Sequence, residues 1–185
     1  MGTRRTVRTL YRDDHRIIVA EAPTRHAVWT TGKIVDLPVM WTVFFMQKFR
    51  QSTPWLYAVA ACTERPKYDT PLLYPPYGNM YYMRPCFYSA PGSDLTDEAA
   101  AHRIIADWWG SRFSSDGEGP SWWSAVAKAR SRIGGMRAMG SWSVDDVLAA
   151  DWSCMASKPK RVLSLCGSPG LTFPTVRSMV ELKLP

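Results

Sequence analysis

The chain has 185 residues, 46% hydrophobic and 21% charged, an ordinary globular balance that excludes a fibrous or low-complexity protein and supplies enough apolar material for one buried core. The formal charge of +7 is unevenly spread: residues 1–50 carry nine Lys and Arg against four acids, residues 51–127 five against eight, and residues 152–185 five against one. Basic ends around an acidic middle, without a concentrated basic run, suit an acidic protein partner as well as a nucleic acid.

In chain order, residues 11–22 contain the β-branched run RIIVAEA, stopped by Pro23, and read as a strand. Residues 26–31 and 33–37 flank Gly32 as two short strands about a tight turn. Residues 38–48 and 55–63, separated by the loop chemistry of QSTP, complete an antiparallel β-meander. From residue 64 the character changes. Pro66, Pro71, Pro75, Pro76, Pro85 and Pro91 fix φ and remove donors, so this part reads as an ordered but irregular excursion, the kind of segment that carries reactive groups.

A helix is predicted from Thr96 as N-cap, with Asp97 and Glu98 at the positive end of its dipole and Ala101, Ile104, Ile105, Trp108, Trp109 and Phe113 on a core-facing stripe. A second is predicted over residues 121–133, ended by Gly134 and Gly135, and a third over 144–152 behind the capping box of Ser143 and Asp146. Residues 162–166 and 176–184 read as strands. The N-terminal residues hold no uninterrupted apolar segment of the secretory type, and the longest apolar run, residues 39–46, is too short for a bilayer, so a cytoplasmic protein with reduced thiols and no membrane partner is expected. Cys62, Cys86, Cys154 and Cys166 form no C-x-x-C pair, and scattered Cys and His have poor spacing for zinc. His15, His26 and His102 show no triad-like context. No metal or cofactor is expected.

The densest chemistry lies in residues 71–89, PLLYPPYGNMYYMRPCFYS. A meander, a proline-rich flap, Asn79, Cys86 and then a helix resemble the ubiquitin-conjugating enzymes, and more closely the bacterial ubiquitin-conjugating-like family called PRTRC system protein B. The resemblance covers roughly residues 28–113 and rests on Arg65-Pro66, Thr70, Leu72, Pro76, Asn79, Cys86 and Trp109-Gly110-Ser111-Arg112-Phe113. Two features depart from the pattern. Tyr77-Gly78 stands where conjugating enzymes have His-Pro before the asparagine, and Arg84-Pro85 stands where a glycine commonly precedes the cysteine.

The resemblance implies an α+β, ubiquitin-conjugating-enzyme-like fold in one domain, with a core over about 11–113 and a variable extension over about 114–185. It implies an acyl transferase that carries a ubiquitin-like protein as a thioester on Cys86 and receives it from a ThiF-type adenylating enzyme, in a bacterial or mobile-element modification system. Asn79 would donate to the developing oxyanion and Arg84 would favour the thiolate. Tyr81, Tyr82 and Tyr88 would shape a channel for an extended tail, and Asp94 or Asp97 would orient the attacking amine. Read without the resemblance, Cys86 is equally a small buried hydrophobe and Asn79 a turn residue tolerating φ > 0. Two other classes stay open: a non-catalytic adaptor of the same fold, and a nucleic-acid binder using Lys128, Arg130, Arg132 and Arg137 beside Trp122 and Trp123.

Overall fold

The structure is a computed structural model and describes residues 6–30, 33–47, 55–77, 80–81, 83–85, 97–113, 141–156, 162–163, 169–170 and 172–182. It is a mixed α+β fold whose sheets are mostly antiparallel. The meander begins one strand earlier than the β-branched run indicates. Strands β1 (Val7–Arg12) and β2 (Arg16–Glu21) form a hairpin closed at Asp13. The Asp13 carboxylate accepts from the backbone N–H groups of His15 and Arg16, from the Tyr11 hydroxyl and from the Arg16 guanidinium. β3 (Thr24–Thr30), β4 (Lys33–Val39), β5 (Trp41–Gln47) and β6 (Trp55–Cys62) follow.

The pairing makes β2 with β3, and β4 with β5, the two sides of one long ribbon. Glu21 faces Thr42 and Thr24 faces Val39, so the register passes the interruption unchanged. Ala22 and Pro23 break the ladder because proline has no N–H to donate, and the Ala22 N–H turns to the Thr6 carbonyl instead. On one side of this break the ribbon joins a four-stranded sheet in the order β1-β2-β5-β6. On the other it joins a three-stranded sheet in the order β4-β3-β9, in which β9 (Arg112–Phe113) runs parallel to β3.

Both faces of the four-stranded sheet are buried, which is why β2 and β5 are near-continuous apolar runs without strict alternation. One face, with Ile17, Val19, Phe44 and Met46, packs under helix α1 (Asp97–Gly110). The other, with Ile18, Ala20, Val43 and Phe45, is covered by Leu72, Phe173 and the short helix α3 (Val176–Val180). Between them in sequence lie α2 (Val144–Ala149), with the predicted capping box of Ser143 and Asp146, and a short ladder of β10 (Val162–Leu163) and β11 (Pro169–Gly170). Fully burying a side chain of Ile or Phe size contributes about 1.5–3 kcal/mol, so the α1 stripe of Ile104, Ile105, Trp108 and Trp109 anchors that layer.

One sequence expectation is corrected here. Residues 176–180 are helical and not a strand, because Thr175 and Ser178 close a reciprocal capping box behind Pro174 and the helical spacing brings Val176 and Met179 onto one buried face. The predicted helix over 121–133 and the N-cap Thr96 lie outside the described residues.

Candidate functional site

The proline-rich segment after β6 is ordered along that strand's outer edge. Leu73 exchanges hydrogen bonds with Ala61 at 3.0 and 2.7 Å, and the Val59 N–H donates to the Met83 carbonyl at 2.7 Å. On its far side the Leu72 N–H donates to Pro174 and the Tyr74 N–H to Met155. Leu72, Pro75, Pro76, Tyr77, Met80, Met83 and Pro85 are buried, so the prolines here shape a packed wall in which few backbone donors need partners. The two-residue strands β7 (Met80–Tyr81) and β8 (Arg84–Pro85) pair as the last turn before position 86.

Tyr77 anchors this wall from inside. Its ring is fully buried against Trp108 and Trp109 in edge-to-face contacts, and its hydroxyl meets the Thr42 hydroxyl at 3.4 Å, which in turn donates to the Met40 carbonyl. Burial pushes the phenol well above its ordinary range, so it stays neutral. In the sequence Tyr77 stands out only as a departure from His-Pro-Asn. Its position just before Gly78-Asn79, among apolar and aromatic residues, was the available signal.

A second group that the sequence did not reveal lies at the break in the ribbon. Glu21 is buried and its Oε2 receives the Trp109 indole N–H at 2.6 Å and meets His26 Nε2 at 3.2 Å. The His26 ring stacks on Trp109, with centroids 4.0 Å apart and planes 14° from parallel. Among the described residues Glu21 Oε1 and the Trp108 Nε1–H have no hydrogen-bond partner. This cluster joins β2, β3 and α1 across the break between the two sheets.

The predicted site residues fall as follows. Arg84 is exposed and lies close enough to Tyr57 to oppose the upward push that burial gives that phenol. Tyr57 in turn packs edge-to-face with Trp55, which is 41% exposed, so the surface beside Arg84 is aromatic. Asp97, at the start of α1, is paired with Arg12 of β1 at 2.9 Å. The segment carrying Arg84 bonds to β6, and β2 and β5 separate β6 from β1, so Asp97 and Arg84 belong to opposite edges of the sheet. Tyr81 belongs to β7. Cys86, Asn79, Tyr82, Tyr88 and Asp94 lie outside the described residues.

Cys62 is buried on β6, and burial, with a smaller contribution from Glu64, pushes its thiol up to about 12. A thiol so placed is a poor nucleophile at neutral pH. Among the described residues no three His, Cys, Asp or Glu side chains come together to hold a metal ion, and no helix is long and apolar enough to cross a membrane. Comparison with known proteins finds no matching family model, curated protein or solved structure.

Proposed function

We propose that the chain is a ubiquitin-conjugating-type acyl transferase with Cys86 as its acceptor, working in the cytoplasm with a ubiquitin-like protein and its ThiF-type adenylating enzyme. The observation that carries this reading is the chain path. A consecutive antiparallel meander leads into a packed proline segment along its last strand, the described part of that segment ends at Pro85 with Cys86 next in sequence, and α1 packs on one face of the sheet. Residues that carry the resemblance also have structural reasons to be what they are. Pro66, Leu72 and Pro76 are buried, and Thr70 is buried with its hydroxyl accepting the Lys67 N–H at 2.9 Å.

In the proposed reaction the adenylating partner spends ATP to form its own thioester. The Cys86 thiolate attacks that carbonyl, a new C–S bond forms, and the partner's thiolate leaves. An amine then attacks the Cys86 thioester, an amide forms, and the Cys86 thiolate departs while the amine loses its proton to solvent or a base. Asn79 would donate to the oxyanion at both steps, a type of contact whose removal costs about 10²- to 10³-fold elsewhere. The cation of Arg84 would favour the thiolate.

The test is intact mass under non-reducing conditions after mixing the protein with the adenylating enzyme, the ubiquitin-like protein and ATP. A dithiothreitol-sensitive adduct absent from Cys86→Ala is the expected result. Undiminished partner binding with no adduct would replace this reading with that of a non-catalytic adaptor.

A further inference from the structure

A groove of about 520 Å³ opens beside β1, the edge strand of the four-stranded sheet. Arg8, Thr9 and Leu10 bound it on one side, and Arg65, Lys67 and Tyr68 on the other. Successive strand residues point to opposite faces, so a groove touching three in a row reaches the edge of the strand and not merely one face. Among the described residues β1 pairs only with β2, and no described strand pairs with its other edge.

Arg8, Arg65 and Lys67 are exposed, and no described acidic side chain pairs with any of them. Of the two acids of the adjoining segment, Asp69 is already paired by a two-pronged contact from Arg177 at 2.7 and 3.0 Å, and Glu64 Oε1 accepts from the Thr70 hydroxyl at 3.5 Å. The turn itself is rigidly made. Pro66 is buried, the Lys67 N–H donates to the Thr70 hydroxyl, the Thr70 N–H donates back to the Lys67 carbonyl at 3.2 Å, and the Tyr68 carbonyl takes the Arg177 N–H. Three cations therefore stand around a groove beside β1, two of them carried by a turn whose backbone is already ordered.

We propose that this groove is a docking site for an extended acidic peptide of a partner protein, which adds as a short strand to β1 while its carboxylates meet Arg8, Arg65 and Lys67. The inference does not depend on the reading of Cys86. An acidic peptide is favoured over a nucleic acid because a strand edge presents N–H donors and C=O acceptors alternately. A second strand satisfies both, whereas a phosphodiester offers only acceptors and would leave the carbonyls facing like partial charge. The cationic lining also discourages edge-to-edge pairing with another copy of the chain, and the bulge between Thr9 and Tyr11 limits the added strand to the residues before it.

The test uses the full chain and fluorescence anisotropy with a labelled peptide of alternating Glu and Val, the same peptide N-methylated at alternate amides, and a labelled oligothymidylate. The proposal expects saturable binding of the first peptide that weakens with salt, falls about tenfold or more in Arg8→Glu/Lys67→Glu, and is lost on N-methylation. Both substituted side chains are exposed, and an unchanged melting temperature would show that the variant folds. Tighter binding of the oligonucleotide, equal binding of the methylated peptide, undiminished binding by the variant, or no binding at low salt would each overturn it.

Discussion

Trp108 and Trp109 are neighbours on α1, each essentially without solvent exposure, and both pack against Phe44, Tyr77 and Phe113. They differ in two respects: only Trp109 stacks on His26, at 4.0 Å between centroids, and the Trp109 indole N–H donates to the buried Glu21 carboxylate while that of Trp108 has no partner among the described residues, so the comparison of variants is completed by the cycle with position 21. Replacing either by Phe removes similar apolar volume and leaves similar space. Only Trp109→Phe also strips a buried carboxylate of a donor, which costs about 1.5–3 kcal/mol beyond the packing loss. In a chain of 185 residues that difference corresponds to a melting temperature lower by roughly 3 to 12 °C for Trp109→Phe than for Trp108→Phe. Urea unfolding of both variants, followed by far-ultraviolet circular dichroism, measures it directly. The same variants in a Glu21→Gln background close a double-mutant cycle, in which Trp109 couples to position 21 and Trp108 does not. Equal costs for the two replacements, or a coupling near zero for Trp109, would refute the claim that the carboxylate contact ties α1 to the break between the sheets.

Three further outcomes are expected. Hydrogen bonds from Arg16, the His15 backbone and Tyr11 outweigh the upward effect of burial and hold the Asp13 carboxyl at about 2. Because the folded value lies below the unfolded one, its stabilising effect is complete above about pH 4 and fades as pH falls toward 2. Asp13→Asn therefore lowers the melting temperature at pH 7 and changes it little at pH 2, and an equal loss at both would contradict this. With its thiol near 12, Cys62 carries a thiolate fraction on the order of 10⁻⁴ at pH 8 and should resist iodoacetamide until the protein is unfolded. Peptide mapping that found native Cys62 alkylated as fast as a free thiol would show the β6 core to be open. Thr175→Ala removes the side-chain cap of α3 and should cost about 1 kcal/mol in denaturant titrations, with no effect meaning that residues 176–180 hold their place through Val176 and Met179 alone.

The meander was readable because its strands are long, β-branched and bounded by Gly32, Pro23 and QSTP, and α1 because its apolar spacing and first-turn acids agree. The α3 segment was misread because five residues are too few for periodicity to separate a helix from a strand, leaving the capping pair as the better evidence. The Tyr77 wall was half legible. Proline content announced an ordered irregular segment, but not that β6 would supply its hydrogen bonds.

Local chemistry determined the long strands of the meander, the α1 helix and the Ser143 cap, and that residues 64–77 form no long strand. Tertiary structure alone decided which polar groups meet. Glu21 and His26 are five apart, a spacing that in a straight strand sends side chains to opposite faces, and only the break at Ala22–Pro23 turns them toward each other. Trp109 reaches the same carboxylate from 88 positions away. The groove likewise joins residues 8–10 to residues 65–68 across chain-distant elements. Propensity acts over a few residues, whereas the pairing of buried polar groups and the placing of surface cations depend on which distant faces the apolar core draws together.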